Sequence, residues 1–146
     1  MATGRYTSDL ETGDVLGPVE FTLSPFVVRE YCHGNEMHQP FFQDVDRPMV
    51  PPTMVHLQKL RLYSHSCPAG TGPNARVHVE FDATCHDVVR AGEKLRATGR
   101  VAQRYVKRGR TYVQIEIDLR AVEDDRPLIT YRDTVIVAYA PGKVEA

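Results

Sequence analysis

The sequence lacks the features that mark secreted, membrane-spanning or nucleic-acid-binding proteins. It has only three cysteines, an odd number without a CxxC pair, which is typical of reduced thiols in a cytoplasmic protein. Its net charge of −1 provides no overall field that would attract nucleic acid. Its apolar runs are too short to cross a membrane, and residues 1–12 contain no apolar segment typical of a signal peptide. We therefore predict a cytoplasmic protein that binds neither nucleic acid nor membrane.

The length and composition predict one folded unit. A chain of 146 residues suits a single domain, and a hydrophobic content of 42% is enough to form a core. Residues 1–13 have no periodicity and contain several Thr, Ser and Gly residues, so we predict a flexible N-terminal arm there. The prediction is thus a single domain over residues 1–146.

The first half of the chain predicts a strand and a short helix, followed by an irregular segment. Apolar residues alternate over residues 15–23, as in a strand. Ser24 and Pro25 suit a helix start, and Gly34 suits its end, where a glycine commonly adopts a positive φ. Four prolines then exclude a continuous helix before position 53: Pro40, Pro48, Pro51 and Pro52.

The longest predicted helix covers residues 54–64. Thr53 is the predicted N-cap. Met54, Leu57, Leu60 and Tyr63 fall on one apolar stripe, which Val55 and Leu62 widen. A Gly- and Pro-rich loop follows.

From Arg76 onward the hydrophobic period changes to two, which predicts strands. Residues 77, 79, 81, 83 and 85 alternate with polar residues, and three later segments repeat the pattern. Turn-forming sequences separate these segments at residues 90–92, 107–110 and 123–127. Four long antiparallel strands after one long helix predict an α+β fold.

Several short motifs, in order along nearly the whole chain, resemble the MaoC-like dehydratase family. The resemblance rests on these segments: Gly13-Asp14-Val15-Leu16, Val28-Arg29-Glu30-Tyr31, Gly34-Asn35-Glu36, Pro51-Pro52-Thr53-Met54, Val79-Glu80-Phe81, Arg90-Ala91-Gly92-Glu93-Lys94-Leu95, Gly99-Arg100-Val101 and Val106-Lys107-Arg108-Gly109. It implies a single hotdog fold, in which a curved antiparallel sheet wraps a long central helix.

The resemblance also implies an activity. Members of the family hydrate enoyl thioesters or dehydrate (3R)-hydroxyacyl thioesters of coenzyme A or an acyl carrier protein. Active members carry an Asp and a His in a DxNPxH loop. Here Glu36 lies near the Asp position and Phe42 occupies the place of the His. Since phenylalanine transfers no proton, the acid–base pair has either been rebuilt from neighbouring residues or been lost.

The residues around Gly34 offer a rebuilt pair. Dehydration next to a thioester needs a base for the α-proton and an acid for the departing hydroxyl. Glu36 and His38 lie two residues apart in a segment predicted to be extended, so both side chains can face one substrate. We predict Glu36 and His38 as the catalytic pair, with Asn35 orienting the hydroxyl or water.

Five further residues are predicted to bind substrate. Free N–H groups at the start of the central helix, on Thr53 and Met54, can bind the thioester carbonyl oxygen. His56 lines the pocket or is a core histidine, Phe42 contacts the acyl chain, and His33 supports the site or stabilises the end of its helix. His33, Glu36 and His38 match no standard zinc spacing, so we predict no metal and no cofactor.

Two other functions remain open. Phe42 favours a non-catalytic, acyl-binding subunit whose partner chain supplies the Asp and His. Hotdog proteins also hydrolyse thioesters, and Glu36 can activate water for that reaction. In each case we expect a homodimer or a hotdog heterodimer, since a curved sheet with two free edges tends to pair with another chain.

Overall fold

A five-stranded antiparallel sheet organises the molecule. The computed structural model describes residues 5–43, 46–72 and 74–139. Within these residues the strand order is β1-β3-β4-β5-β2, and all neighbours are antiparallel. The strands are β1 (Val15–Thr22), β2 (Ala75–Cys85), β3 (Lys94–Lys107), β4 (Arg110–Ala121) and β5 (Pro127–Tyr139). The helices are α1 (Pro25–Gly34), α2 (Pro40–Gln43), α3 (Pro52–Leu57) and α4 (Lys59–Ser66).

The later strands lie where alternation predicted them. In β4 every second side chain is buried, so one face of the sheet carries Thr111, Val113, Ile115, Ile117, Leu119 and Ala121. The tight turn between β3 and β4 places Arg108 and Gly109 at positive φ, as a two-residue hairpin requires.

Helix α1 begins as predicted but ends differently. The Ser24 hydroxyl accepts a hydrogen bond from the Val27 N–H. Gly34 is the last residue of α1, yet the positive φ is that of Glu36, at 56°. The segment after it also contains α2, which the prolines did not exclude because Pro40 occupies its first position.

The central helix is interrupted, and its predicted buried stripe was partly wrong. It starts at Pro52, with Pro51 rather than Thr53 as the N-cap. The chain between α3 and α4 is tightened by two hydrogen bonds that each span three residues. The Gln58 N–H donates to the Val55 carbonyl, and the Arg61 N–H donates to the Gln58 carbonyl.

Val55, Lys59, Leu62 and Tyr63 are buried, and their spacing of four, three and one residues follows one face of a regular helix. Leu57 and Leu60 lie outside that face and are exposed.

Leu62 fixes how closely the helix approaches the sheet. It is fully buried between β1 and β3. A Cβ atom on Gly99 would lie 2.8 Å from Leu62 Cδ2, and one on Gly17 would lie 2.7 Å from Leu62 Cδ1. Both positions therefore need glycine.

The predicted N-terminal arm is packed over its described part. Leu10 and Thr7 are buried, and the Thr7 N–H donates to the Gly70 carbonyl at 2.9 Å. The Arg104 guanidinium donates to the carbonyl oxygens of Ser8 and Leu10. Residues 5–13 are thus held against the sheet, while residues 1–4 lie outside the described residues.

Two smaller observations complete the fold. Among the described residues, the helices are too short and too polar to cross a membrane. Cys32, Cys67 and Cys85 are free thiols, and the first two are buried.

Candidate functional site

The predicted catalytic loop lies on the surface after α1. The Met37 N–H donates to the Cys32 carbonyl, and the Asn35 side chain donates to the Tyr31 carbonyl at 2.8 Å. Asn35 thus closes the end of α1. Glu36 and His38 are exposed, and no hydrogen bond or ion pair joins either side chain to another described residue. A single chain therefore leaves this pair open to solvent, and its catalytic role stays a prediction.

The loop is anchored close to the central helix. The Tyr31 hydroxyl donates a hydrogen bond to Thr53 Oγ1 at 2.9 Å, which ties α1 to the first turn of α3. The Met54 N–H, which was expected to be free, donates to the Pro51 carbonyl at 2.9 Å. The Thr53 side chain therefore links α1 to α3, and the Met54 N–H is already hydrogen-bonded within the first turn of α3.

Phe42 and His33 have different surroundings. Phe42 is 7% exposed and belongs to the hydrophobic core, with its ring edge-on to Phe41 at 4.6 Å between centroids. His33 is exposed in the last turn of α1, where a positive charge would interact favourably with the helix dipole.

An apolar cavity of about 370 Å³ lies beside the start of α3. Pro52 and Val55 contribute from the helix, and Met49 and Val50 from the preceding segment. The other side is formed by residues after β2 and at the start of β5, including Leu128 and Ile129. Thr53 and Met54 do not line this cavity, although their neighbours do.

Sequence reasoning missed a polar network inside the sheet. Its centre is Asp133 of β5, which is 0% exposed. Lys59 Nζ lies 3.0 Å from Asp133 Oδ1, and the Tyr63 hydroxyl donates to Oδ2 at 2.5 Å. His78 Nε2 lies 2.8 Å from Oδ1. Lys59 and Tyr63 of α4 therefore donate to one buried carboxylate, and the His78 ring of β2 lies in contact with it.

A β-bulge brings His78 into this network. On β2, His78 pairs with Val135 and Glu80 pairs with Thr134, so Val79 is an extra residue opposite the regular β5. The side chain of His78 therefore points to the same face as Phe81, three positions later, and Val79 is exposed. The predicted alternation of residues 77–85 assumed a strand without a bulge, so it placed Val79 and Phe81 on one face and His78 on the other.

His56 lies next to the network. Its ring centroid is 5.8 Å from that of His78 and 3.8 Å from that of Phe81, and the Phe81 ring contacts Tyr131. His56 Nε2 is buried and has no hydrogen-bond partner among the described residues. Burial lowers the pKa of His56, and the charge of Lys59 acts in the same direction. His56 is therefore a neutral imidazole at neutral pH.

Tyr63 remains a hydrogen-bond donor to Asp133 for an electrostatic reason. Burial and the Asp133 carboxylate raise the pKa of Tyr63 well above its usual value, so its hydroxyl remains a donor. The sequence held one signal for the network: Lys59 follows His56 by three positions, and Tyr63 follows Lys59 by four, which places all three on one helix face.

Neither a protein-family model nor a curated protein matches the chain by sequence. Solved structures do match. One is the HadBC (3R)-hydroxyacyl-ACP dehydratase complex of Mycobacterium tuberculosis, with a TM-score of 0.75, 17% identity, and coverage of 88% of this chain and 98% of that chain. A MaoC-like dehydratase from Rhodospirillum rubrum matches with a TM-score of 0.71, 16% identity, and coverage of 94% and 99%.

An (R)-hydratase of A. caviae involved in PHA biosynthesis matches with a TM-score of 0.71, 14% identity, and coverage of 88% and 98%. These neighbours confirm the predicted α+β hotdog fold. They include the MaoC-like proteins that the sequence motifs resemble.

Proposed function

From a hotdog fold shared with MaoC-like dehydratases and (R)-hydratases, we propose that this chain is a hydratase or dehydratase of acyl thioesters. Its substrate would be a 3-hydroxyacyl or enoyl thioester of coenzyme A or an acyl carrier protein. The observation that carries this proposal is the fold, together with the anchoring of the loop after α1 at the central helix through Tyr31 and Thr53.

The acid–base pair proposed from the sequence is Glu36 and His38, with Asn35 beside them. Both side chains are exposed, which leaves them accessible to a substrate bound on this surface. An imidazole titrates near neutral pH and a carboxylate accepts a proton, so the pair has the two groups that dehydration needs. His33, Phe42, Thr53, Met54 and His56 remain the proposed substrate-binding residues.

The apolar cavity supports an acyl substrate. A volume of about 370 Å³ is within the range of small-molecule sites, and its walls are mostly hydrocarbon. A short acyl chain fits a cavity of this kind, beside the helix start to which the loop is tied. We propose a cytoplasmic enzyme that works as a homodimer or as half of a hotdog heterodimer, without cofactor or metal.

One observation favours a second function. Phe42 occupies the place of the catalytic His in the resemblance and is part of the core, and no hydrogen bond or ion pair joins Glu36 to His38 among the described residues. In this alternative, the chain is a non-catalytic acyl-binding subunit. The HadBC neighbour is a dehydratase complex, which is the kind of assembly such a subunit would join.

The experiment is turnover of an enoyl or (3R)-hydroxyacyl thioester by the purified chain, followed at the conjugated double bond. If Glu36 and His38 form the pair, His38→Ala and Glu36→Gln should each lower kcat by about a hundredfold or more. The double variant should be little worse than either single one, because residues acting as a unit are not additive.

Phe42→Ala is the companion variant, and it should chiefly weaken acyl binding. Near-normal rates for both single variants would place the chemistry elsewhere. Binding of acyl thioesters without turnover, until a second chain is added, would replace this function with that of the non-catalytic subunit.

A further inference from the structure

The burial of Asp133 is not required by the fold. Its neighbours on the same face of β5 are Tyr131, Val135 and Val137, and an apolar side chain would continue that row. A buried ion pair is often no more stabilising than apolar residues of similar volume. A carboxylate at this position, held by Lys59 and Tyr63 and in contact with His78, therefore indicates a functional site.

Lys59 and Tyr63 fix the Asp133 carboxylate in place. Lys59 Nζ neutralises its charge at 3.0 Å, and the Tyr63 hydroxyl occupies the other oxygen at 2.5 Å. The carboxylate is thus an acceptor with a defined orientation, and the His78 ring contacts the same Oδ1 at 2.8 Å. In the neutral imidazole, a hydrogen on Nε2 would face this oxygen and leave Nδ1 as the acceptor.

His78 is the accessible member of the group. Its side chain is 43% exposed, whereas that of Asp133 is 0% exposed. A half-exposed imidazole in contact with a buried carboxylate has the arrangement of a general acid–base residue with its positioning partner.

His56 adds a second polar group facing the same space. One ring nitrogen of His56, one of His78 and one carboxylate oxygen of Asp133 all lie within 4.8 Å of one another. Two hydrogen bonds to a single oxygen atom span up to roughly 5.6 Å. One hydroxyl or water oxygen can therefore contact both His56 and the His78–Asp133 pair.

The same spacing would also suit a metal ion, but the charges oppose it. Lys59 Nζ already lies 3.0 Å from Asp133 Oδ1, a carboxylate oxygen that a cation would need as a ligand. A divalent ion there would meet an ammonium group at close range in a buried site, where like charges repel strongly. Proton transfer fits these residues better than metal binding.

We propose that His78, oriented by Asp133, performs the acid–base step assigned above to Glu36 and His38, and that His56 binds the reacting oxygen. The inference rests on the proposed hydratase function. In hydration, Nδ1 of His78 removes a proton from water as the water oxygen bonds to Cβ. The electron pair of the double bond moves toward the thioester as an enolate. The imidazolium then returns its proton to Cα, and dehydration is the reverse.

The test compares wild-type protein, His78→Gln and His78→Ala in the hydration of an enoyl thioester. Both variants should lose about a hundredfold or more in kcat with little change in KM. Added imidazole should restore part of the activity of His78→Ala, because the site is half exposed.

Asp133→Asn should lower kcat in the same way if it folds. His65→Gln, on the exposed end of α4, is the matched control and should keep wild-type rates.

Circular dichroism and the thermal midpoint show that each variant is folded. Wild-type rates in His78→Gln would overturn the inference while leaving the proposed function intact. A loss in His78→Ala that imidazole does not restore would assign His78 a structural role and also overturn it. Tight binding of Zn²⁺ that depends on His56 and His78 would favour the metal site instead. If the wild type turns over no thioester, the proposed function fails, and the inference fails with it.

Discussion

Asp133 carries a charge that is balanced entirely by protein groups. Isolated carboxylates are very costly to bury, so each donor around this one contributes by preventing an unpaired charge. Lys59 is the cationic partner, and only 8% of its side chain is exposed. The free energy of unfolding should therefore fall more when Lys59 alone is replaced than when Lys59 and Asp133 are replaced together.

Lys59→Met tests this balance. Methionine keeps most of the side-chain volume and removes the charge, so the variant should lose about 3 kcal/mol of unfolding free energy, as for other broken buried pairs. Adding Asp133→Asn should recover part of the loss. Urea denaturation at neutral pH gives both values.

Lys94→Met is the matched control for that substitution. Lys94 pairs with Glu20 at 3.1 Å, but both side chains are largely exposed, so its loss should cost under about 1 kcal/mol. Equal effects of the two lysine substitutions would contradict the importance assigned to the buried pair.

At the scale of elements, the close contact of α4 with the sheet depends on small residues in two strands. Gly99→Ala should destabilise the protein by about 1–3 kcal/mol, since its Cβ would lie 2.8 Å from the side chain of Leu62. Gly34→Ala, at the end of α1, meets nothing within 4 Å and should be neutral or slightly stabilising. Thermal denaturation of the two variants measures both effects. A lower midpoint for Gly99→Ala alone indicates a packing effect, whereas equal losses in both variants would indicate a general effect of replacing glycine with alanine.

The elements differ in how well the sequence predicts them. The alternation in residues 110–121 reports burial directly, because β4 is central and regular. The bulge at Val79 leaves no such trace, since it depends on pairing with β5. The helix stripe failed at Leu57 and Leu60 because residues spaced strictly three apart drift around a helix of about 3.6 residues per turn. The buried face instead follows Val55, Lys59 and Leu62.

The candidate site shows the same limit. Glu36 and His38 could be singled out because they lie close together in the sequence. Asp133 and Lys59 are 74 positions apart, so only the pairing of helix and strand brings them together. In the sequence, a buried lysine in a helix also cannot be distinguished from a solvent-exposed one until its partner is known.

The whole molecule has two sheet edges that differ in chemistry. On β1, Pro18 provides no N–H for a further strand. On β2, none of the eleven residues is a proline, and Val77 and Val79 are exposed. Leu57 and Leu60 of the interrupted helix are exposed as well. We therefore expect self-association, or pairing with a related chain, through β2.

Val79→Lys should shift the protein toward monomer, because it places a charge on this edge. Val15→Lys makes the same change on β1, where Val15 is 66% exposed, and should leave the assembly unchanged. Light scattering at micromolar concentration measures both. A wild-type monomer that needs no partner for solubility would count heavily against association, and equal behaviour of the two variants would exclude β2 as the interface.

The packing of Phe42 has a consequence for engineering the chain. A histidine placed at position 42 would bring an imidazole among core side chains, where its ring nitrogens would need new partners. Phenylalanine fills the same space without any hydrogen bond. Installing a histidine there would therefore require further substitutions that open the position to solvent or supply an acceptor.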